Sequence, residues 1–263
     1  MSKVRRGESL VIMSKEIEKK IDVVVDWFRK QVKSSGTKGL VVGISGGIDS
    51  AVVANLIKKA CPDNSMGVIL PVKSSLKDVE DGNLVANTCG ISHLTIDLSQ
   101  QHEEIMGKVV DELKATGEYN ENNLRMMDAN LRARLRMSTL YSIANNLNYL
   151  VAGTDNAAEV HTGYFTKYGD GGVDLLPIAS LKKYEVYQWA QVLGVPQVIL
   201  DRAPSAGLWE GQTDEIEMGV TYKSIDQYLD GQPIDEKDRE VIDRLHKSSQ
   251  HKRQMPPSPE INI

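Results

Sequence analysis

Eight consecutive residues, Gly43-Ile44-Ser45-Gly46-Gly47-Ile48-Asp49-Ser50, bring small, hydroxyl and carboxylate side chains together in one short run. Glycine and serine between a strand and a helix let backbone N–H groups converge on an anion at the positive end of that helix. Such turns also occur where nothing binds. Asp49 falls in the first helical turn, where the macrodipole alone favours a carboxylate. An anion bound there would repel it unless a cation lay between. A phosphate site carrying Asp49 therefore implies Mg²⁺, which is held by one or two carboxylates plus phosphate oxygens. Neither the Walker pattern G-x-x-x-x-G-K-[ST] nor G-x-G-x-x-G occurs in the chain, which excludes those two nucleotide loops.

The surrounding elements place this run. Leu40–Ile44 is a near-continuous apolar stretch of the kind a strand buried on both faces requires. Before it, Ile17, Ile21, Val24, Val25 and Phe28 recur at helical spacing, with Ser14 placed as a cap and Gly36 beyond the end. After it come a helix over 51–60, a strand over 66–70, a helix over 76–88, a strand over 94–98 and a helix over 102–115. A long helix over 123–146 and a strand over 149–153 follow. Next are a glycine-rich loop over 164–172, a helix over 181–193, a loop at about 203–219, two shorter helices and a Pro-rich tail. This alternation predicts an α/β fold, a Rossmann-like open parallel sheet with helices on both faces, in one domain with a C-terminal helical appendix. In such sheets ligands sit beyond the carboxyl ends of the strands, where the 43–50 run falls.

Composition narrows the classes. The chain has 263 residues, 31 Lys and Arg against 36 Asp and Glu, and a formal charge of −5. That balance argues against a nucleic-acid surface, which needs clustered cations. No apolar run approaches the roughly 20 residues of a membrane span, and Leu10–Met13 is too short for a signal-peptide core. Cys61 and Cys89 are too far apart for a metal or redox pair and suit a reducing, cytoplasmic setting. At about 150 residues per domain, the length is too short for two full catalytic domains.

Ser45-Gly46-Gly47-Ile48-Asp49-Ser50 resembles the S-G-G-x-D-S loop of the PP-loop ATP pyrophosphatases. Three further runs narrow the resemblance: 133–137 (ARLRM), 153–159 (GTDNAAE) and 165–172 (FTKYGDGG). With His251-Lys252-Arg253 they are similar to ammonia-dependent NAD synthetase. The resemblance implies an adenine nucleotide alpha-hydrolase-like fold and a homodimer with substrate at the subunit interface. It also implies ATP-dependent amidation of deamido-NAD by ammonia, through a nicotinyl-adenylate, to NAD, AMP and pyrophosphate. Glutamine-dependent relatives carry an additional amidase domain, so this length points to free ammonia.

Residue by residue, the resemblance assigns ATP contacts to the 43–50 loop, Thr154, Lys183 and Ser205. It assigns Mg²⁺ to Asp49 and Glu159, and deamido-NAD to Arg134, Lys167, Asp174, His251 and Lys252. Asp170 is the candidate for holding or deprotonating ammonia, and Asp49, Asp170 and Lys183 are the catalytic candidates. Some of these residues are unusual in themselves. Arg134 shares a helix face with Met127, Leu131 and Ser138, whereas Arg132 and Arg136 point elsewhere. An arginine in an apolar stripe either meets an anion or snorkels over the core edge. Lys183, in the first turn of its helix, opposes the dipole unless an anion is bound there. Relatives read A-P-T-A-D-L where this chain has Ala203-Pro204-Ser205-Ala206-Gly207-Leu208. Ser205 keeps a hydroxyl, Gly207 loses a carboxylate, and the 211–215 stretch is placed to replace it. The loop at 203–219 is expected to act as a lid that excludes water. Three rivals use similar loops: a tRNA-thiolating enzyme, which usually wants reactive cysteines and a basic surface, a GMP-synthetase-type amidating enzyme, and a non-catalytic nucleotide sensor. The sensor has no use for carboxylates on both sides of a phosphate.

Overall fold

The computed structural model describes residues 3–205 and 213–260. The chain opens with α1 (Lys3–Ser35), which runs through Ser14, so that serine lies inside the helix and caps nothing. The order continues β1 (Gly39–Gly43), α2 (Ile48–Ala60), β2 (Ser65–Ile69), α3 (Leu76–Cys89), β3 (Ser92–Thr95), α4 (Ser99–Thr116), α5 (Leu124–Leu147) and β4 (Tyr149–Ala152). Among the described residues, β4 is followed by α6 (Ala157–Thr162), α7 (Lys183–Val192), α8 (Gln197–Leu200), α9 (Asp214–Met218), α10 (Tyr222–Leu229), α11 (Glu236–Ser248) and a closing 3-10 turn at Gln250–Lys252. The α9 helix occupies part of the stretch expected to be loop; Gly207 and Gly211 lie outside the described residues.

The strands form one parallel sheet in the order β3-β2-β1-β4. Residues alternate between its faces, as the pleat dictates. Leu40 and Val42 pack with Phe28 of α1, Leu56 and Ile57 of α2 and Trp189 of α7. Val41, Val68 and Val151 face the other way, onto Ala144, Leu140 and Leu135 of α5. Helices therefore cover both faces, which is why β1 reads as an unbroken apolar run. A separate small core, built on Ala158, Met218, Tyr222, Ile225 and Ile242, joins α6 to α9, α10 and α11.

The chain winds outward from β1 to β3, then returns to place β4 on the other side of β1. That reversal is the topological switch point of the sheet, where two successive loops diverge and leave a crevice. The loops at this point follow β1 and β4, so they hold Ser45–Gly47 and Gly153–Asn156.

Candidate active site

The loop after β1 is shaped by its own hydroxyls. Ser45 Oγ lies 3.1 Å from Ser50 Oγ and accepts from Gly47 N at 3.2 Å. Ser50 is buried and donates to Gly47 O at 2.9 Å. Gly46 has φ +79, and a Cβ there would fall 2.8 Å from Asp81 Cβ, so only glycine fits against α3. Arg202 pairs with both Asp78 and Asp81 and fixes that wall of the loop. Gly47 caps α2 without any side-chain hydrogen bond. The first-turn N–H groups of α2 thus keep the donor capacity an anion uses.

Asp49 and Glu159 approach each other from opposite sides of the crevice, and Lys183 lies between them. Its Nζ is 2.7 Å from Asp49 Oδ2 and 3.5 Å from Glu159 Oε1. The lysine is 3% exposed and sits over the Tyr222 ring. Burial works against its charge, but Asp49 and Glu159 outweigh burial and raise its pKa. Burial, opposed by Lys183 and reinforced by Asp49, pushes the Glu159 carboxyl up to about 7. The Tyr222 hydroxyl donates to Glu159 Oε1 at 2.9 Å or to Asp214 Oδ2 at 3.0 Å, its one proton serving one acceptor at a time. Lys183 is positioned from a distance: Asp226 of α10 accepts from Lys183 N and Tyr184 N, each at 3.0 Å, and caps α7.

A cavity of about 410 Å³ opens above this cluster. It is lined by the loop from Gly43 to Ser50 apart from Gly46, by Thr154 and Glu159, and by Asp170, Ser205 and Lys252. Asp170 accepts from Thr166 N at 2.9 Å, and burial raises its pKa despite that bond. Asp155, 5% exposed, shares the cavity; burial, then Asp170, Glu159 and Asp49, raise its pKa well above the carboxylate range.

Of the other sequence-derived candidates, only Lys252 lines the cavity among the described residues. Asp174 braces the end of β4, accepting from Val151 N at 2.8 Å and Tyr141 Oη at 2.9 Å. Lys167 donates to His251 O at 2.6 Å, while Lys252 donates to Gly163 O and Phe165 O, stapling the tail to the glycine-rich loop. The apolar stripe of Met127, Leu131 and Arg134 exists, but it borders a shallow outer groove with Ile105, Met106 and Val109 of α4. Arg134 is exposed there, and its guanidinium donates to Lys167 O in two long contacts of 3.4 Å.

Several residues of the site escape a reading by pattern. Arg136, expected to point elsewhere, lines the cavity and donates to Leu70 O at 2.9 Å. Burial, then neighbouring Arg132, lowers its pKa to about 10. Tyr222 and Asp226 carry no local motif. Asn156 does: Asn156-x-x-Glu159 is a capping-box spacing, visible in the sequence. Asp214, in the 211–215 stretch singled out for the carboxylate lost at Gly207, lines the cavity.

A parallel sheet with an anion loop and opposed carboxylates at its switch point defines an α/β phosphate-binding enzyme. A sequence profile described as NAD synthase matches residues 20–256. The NH(3)-dependent NAD(+) synthetase of Alkaliphilus oremlandii is 67% identical over 249 residues, covering 95% of this chain and 100% of that protein. The enzyme of the same name from Alkaliphilus metalliredigens is 64% identical over 246 residues, 94% of this chain and 100% of that protein. Among solved structures, NMN synthetase from Francisella tularensis is 40% identical with a TM-score of 0.85, covering 93% of this chain and 99% of that one. NH3-dependent NAD synthetase from Campylobacter jejuni is 28% identical with a TM-score of 0.73, over the same shares of 93% and 99%. The chain belongs to the NAD synthase family.

Proposed function

We propose that the protein makes NAD by ATP-dependent amidation of deamido-NAD with ammonia, releasing AMP and pyrophosphate. The observation that carries the chemistry is the pair Asp49 and Glu159, facing each other across Lys183 beside an anion loop. The 67% identity to the Alkaliphilus oremlandii enzyme over its whole length supports the substrates.

The residues present fit Mg²⁺. No group of three or more His, Cys, Asp or Glu among the described residues forms an all-protein cage. Two carboxylates beside a phosphate loop are the donor set Mg²⁺ takes, with phosphates and water completing its shell. Asp49 and Glu159 would hold it, and when bound it supplies charge neutralisation on the phosphates.

The chain's own groups do the rest. The α2 N-terminus and Ser45 receive the departing pyrophosphate, and the Lys183 ammonium turns to a phosphate oxygen as negative charge develops there. The nicotinate carboxylate of deamido-NAD attacks the α-phosphorus, giving an acyl adenylate and pyrophosphate. Ammonia then attacks the acyl carbon and AMP leaves. Asp170, on the cavity wall, takes the proton that ammonium must lose before attack. No side-chain nucleophile is required.

Arg134, Lys167 and His251 lie outside the cavity, which suits a dinucleotide that extends over the surface. Arg134 borders the apolar α4–α5 groove, and a second copy packed on that groove forms the homodimer. Light scattering after size exclusion is expected to give twice the chain mass; a monomer at micromolar concentration refutes this. Cys61 and Cys89 are unpaired, and no helix among the described residues is long and apolar enough to cross a membrane. Both features suit a cytoplasmic enzyme.

The likeness to an NMN synthetase favours one further reading, amidation of the corresponding mononucleotide. Incubation with ATP, ammonium and equal deamido-NAD and nicotinate mononucleotide separates the two. NAD is expected as the main amide, with one AMP per NAD. ADP in place of AMP refutes the mechanism, and NMN as the main product refutes the substrate.

A further inference from the structure

We infer that Asn156 is a positioning residue that sets the Asp49 and Glu159 carboxylates at the spacing a single cation needs. It is fully buried and bonds to both. Its Nδ2 donates to Asp49 Oδ1 at 2.9 Å, and its backbone N donates to Glu159 Oε2 at 3.0 Å. The oxygen of the same amide accepts from Ala158 N at 3.0 Å and Glu159 N at 3.1 Å, capping α6.

These bonds determine which way the amide faces. Two backbone N–H groups demand the oxygen on the α6 side, so the NH₂ must face Asp49. The assignment follows from the network. Each carboxylate then has one oxygen held by Asn156 and the other turned to Lys183, Asp49 through Oδ2 and Glu159 through Oε1. The two remaining oxygens converge on the Lys183 ammonium between them, with the Tyr222 hydroxyl also reaching Glu159 Oε1.

Capping alone does not call for asparagine. Serine, threonine or aspartate would cap α6 about as well. None of them does both jobs: aspartate would set a second negative charge against Asp49, and serine is too short to reach it. The residue type at 156 is therefore dictated by Asp49, which is 107 positions away in the chain.

This inference rests on Asp49 and Glu159 being the cation carboxylates. Asn156→Ser separates the two jobs, because it keeps the cap and deletes the bond to Asp49. Titration of Mn²⁺ into the intact protein with a non-hydrolysable ATP analogue, followed by electron paramagnetic resonance, reads the cation directly. The expected result is a tenfold or larger loss of Mn²⁺ affinity in Asn156→Ser, with a melting temperature near wild type and an unchanged KM for ammonia. Asn156→Asp is expected to lose more. Wild-type Mn²⁺ affinity in Asn156→Ser overturns the inference. So does a lower melting temperature with all KM values rising together, the mark of a residue that only holds α6. Asp49→Asn is the control. If it weakens Mn²⁺ and Asn156→Ser does not, positioning alone fails; if neither weakens it, the cation assignment fails with it.

Discussion

Replacing Asp49 by asparagine is expected to lower kcat for AMP formation by about 10³-fold while leaving the fold in place. Effects of this size follow when one preorganised charge is removed from a phosphate-transfer site. Asparagine preserves the shape and one oxygen that can accept from Asn156, while the charge and the acceptor facing Lys183 are lost. Lys183 keeps Glu159 at 3.5 Å, and the Asp49 side chain is 18% exposed, so water partly compensates. The stability loss should therefore stay below the roughly 3–5 kcal/mol of a fully buried broken pair. Circular dichroism and a melting curve check the fold, and coupled AMP detection checks the rate. Wild-type turnover would refute the role of Asp49.

Lys183→Met should do two opposite things. Turnover is expected to fall by about 10²- to 10³-fold, because the ammonium that turns to the phosphate as its charge develops is gone. Cation binding without nucleotide should strengthen at least tenfold, because a divalent ion no longer has to displace an ammonium from between Asp49 and Glu159. Melting curves give the second readout. With its countercharge gone, the carboxylate pair is repulsive, so the variant melts below wild type. Added Mg²⁺ should then raise its melting temperature by several degrees and leave wild type nearly unchanged, as linkage requires. Equal Mg²⁺ responses in the two proteins would show that the lysine and the ion do not share one position.

The frame of this site was legible where chemistry and local pattern coincide. Leu40–Ile44 reads as a doubly buried strand because both its faces are covered, and Gly46 sits in a loop whose backbone needs it. Lys183 stood out because its charge opposes its own helix, a local contradiction that tertiary partners resolve. What stayed hidden is what depends on distant chain. The helical wheel of α5 correctly grouped Met127, Leu131 and Arg134 but could not say which face meets the sheet. That face carries Leu135 and Leu140, and Arg136 follows it into the cavity. Asn156 showed its capping pattern but not its second partner. Asp226 showed nothing, since a surface-type aspartate becomes a cap only after α10 packs on α7.

That last contact bears on when the protein becomes competent during its own synthesis. Lys183 is 134 positions beyond Asp49, and Asp226 is a further 43 beyond Lys183. Chains emerge from the ribosome N-terminus first. A nascent chain can therefore complete the four strands and the anion loop while α7 still lacks the carboxylate that fixes its start. Until α10 has been made and docked, Lys183 lacks both that carboxylate and the Tyr222 ring beneath it, and the seat that Asp49, Glu159 and α10 build together stays incomplete.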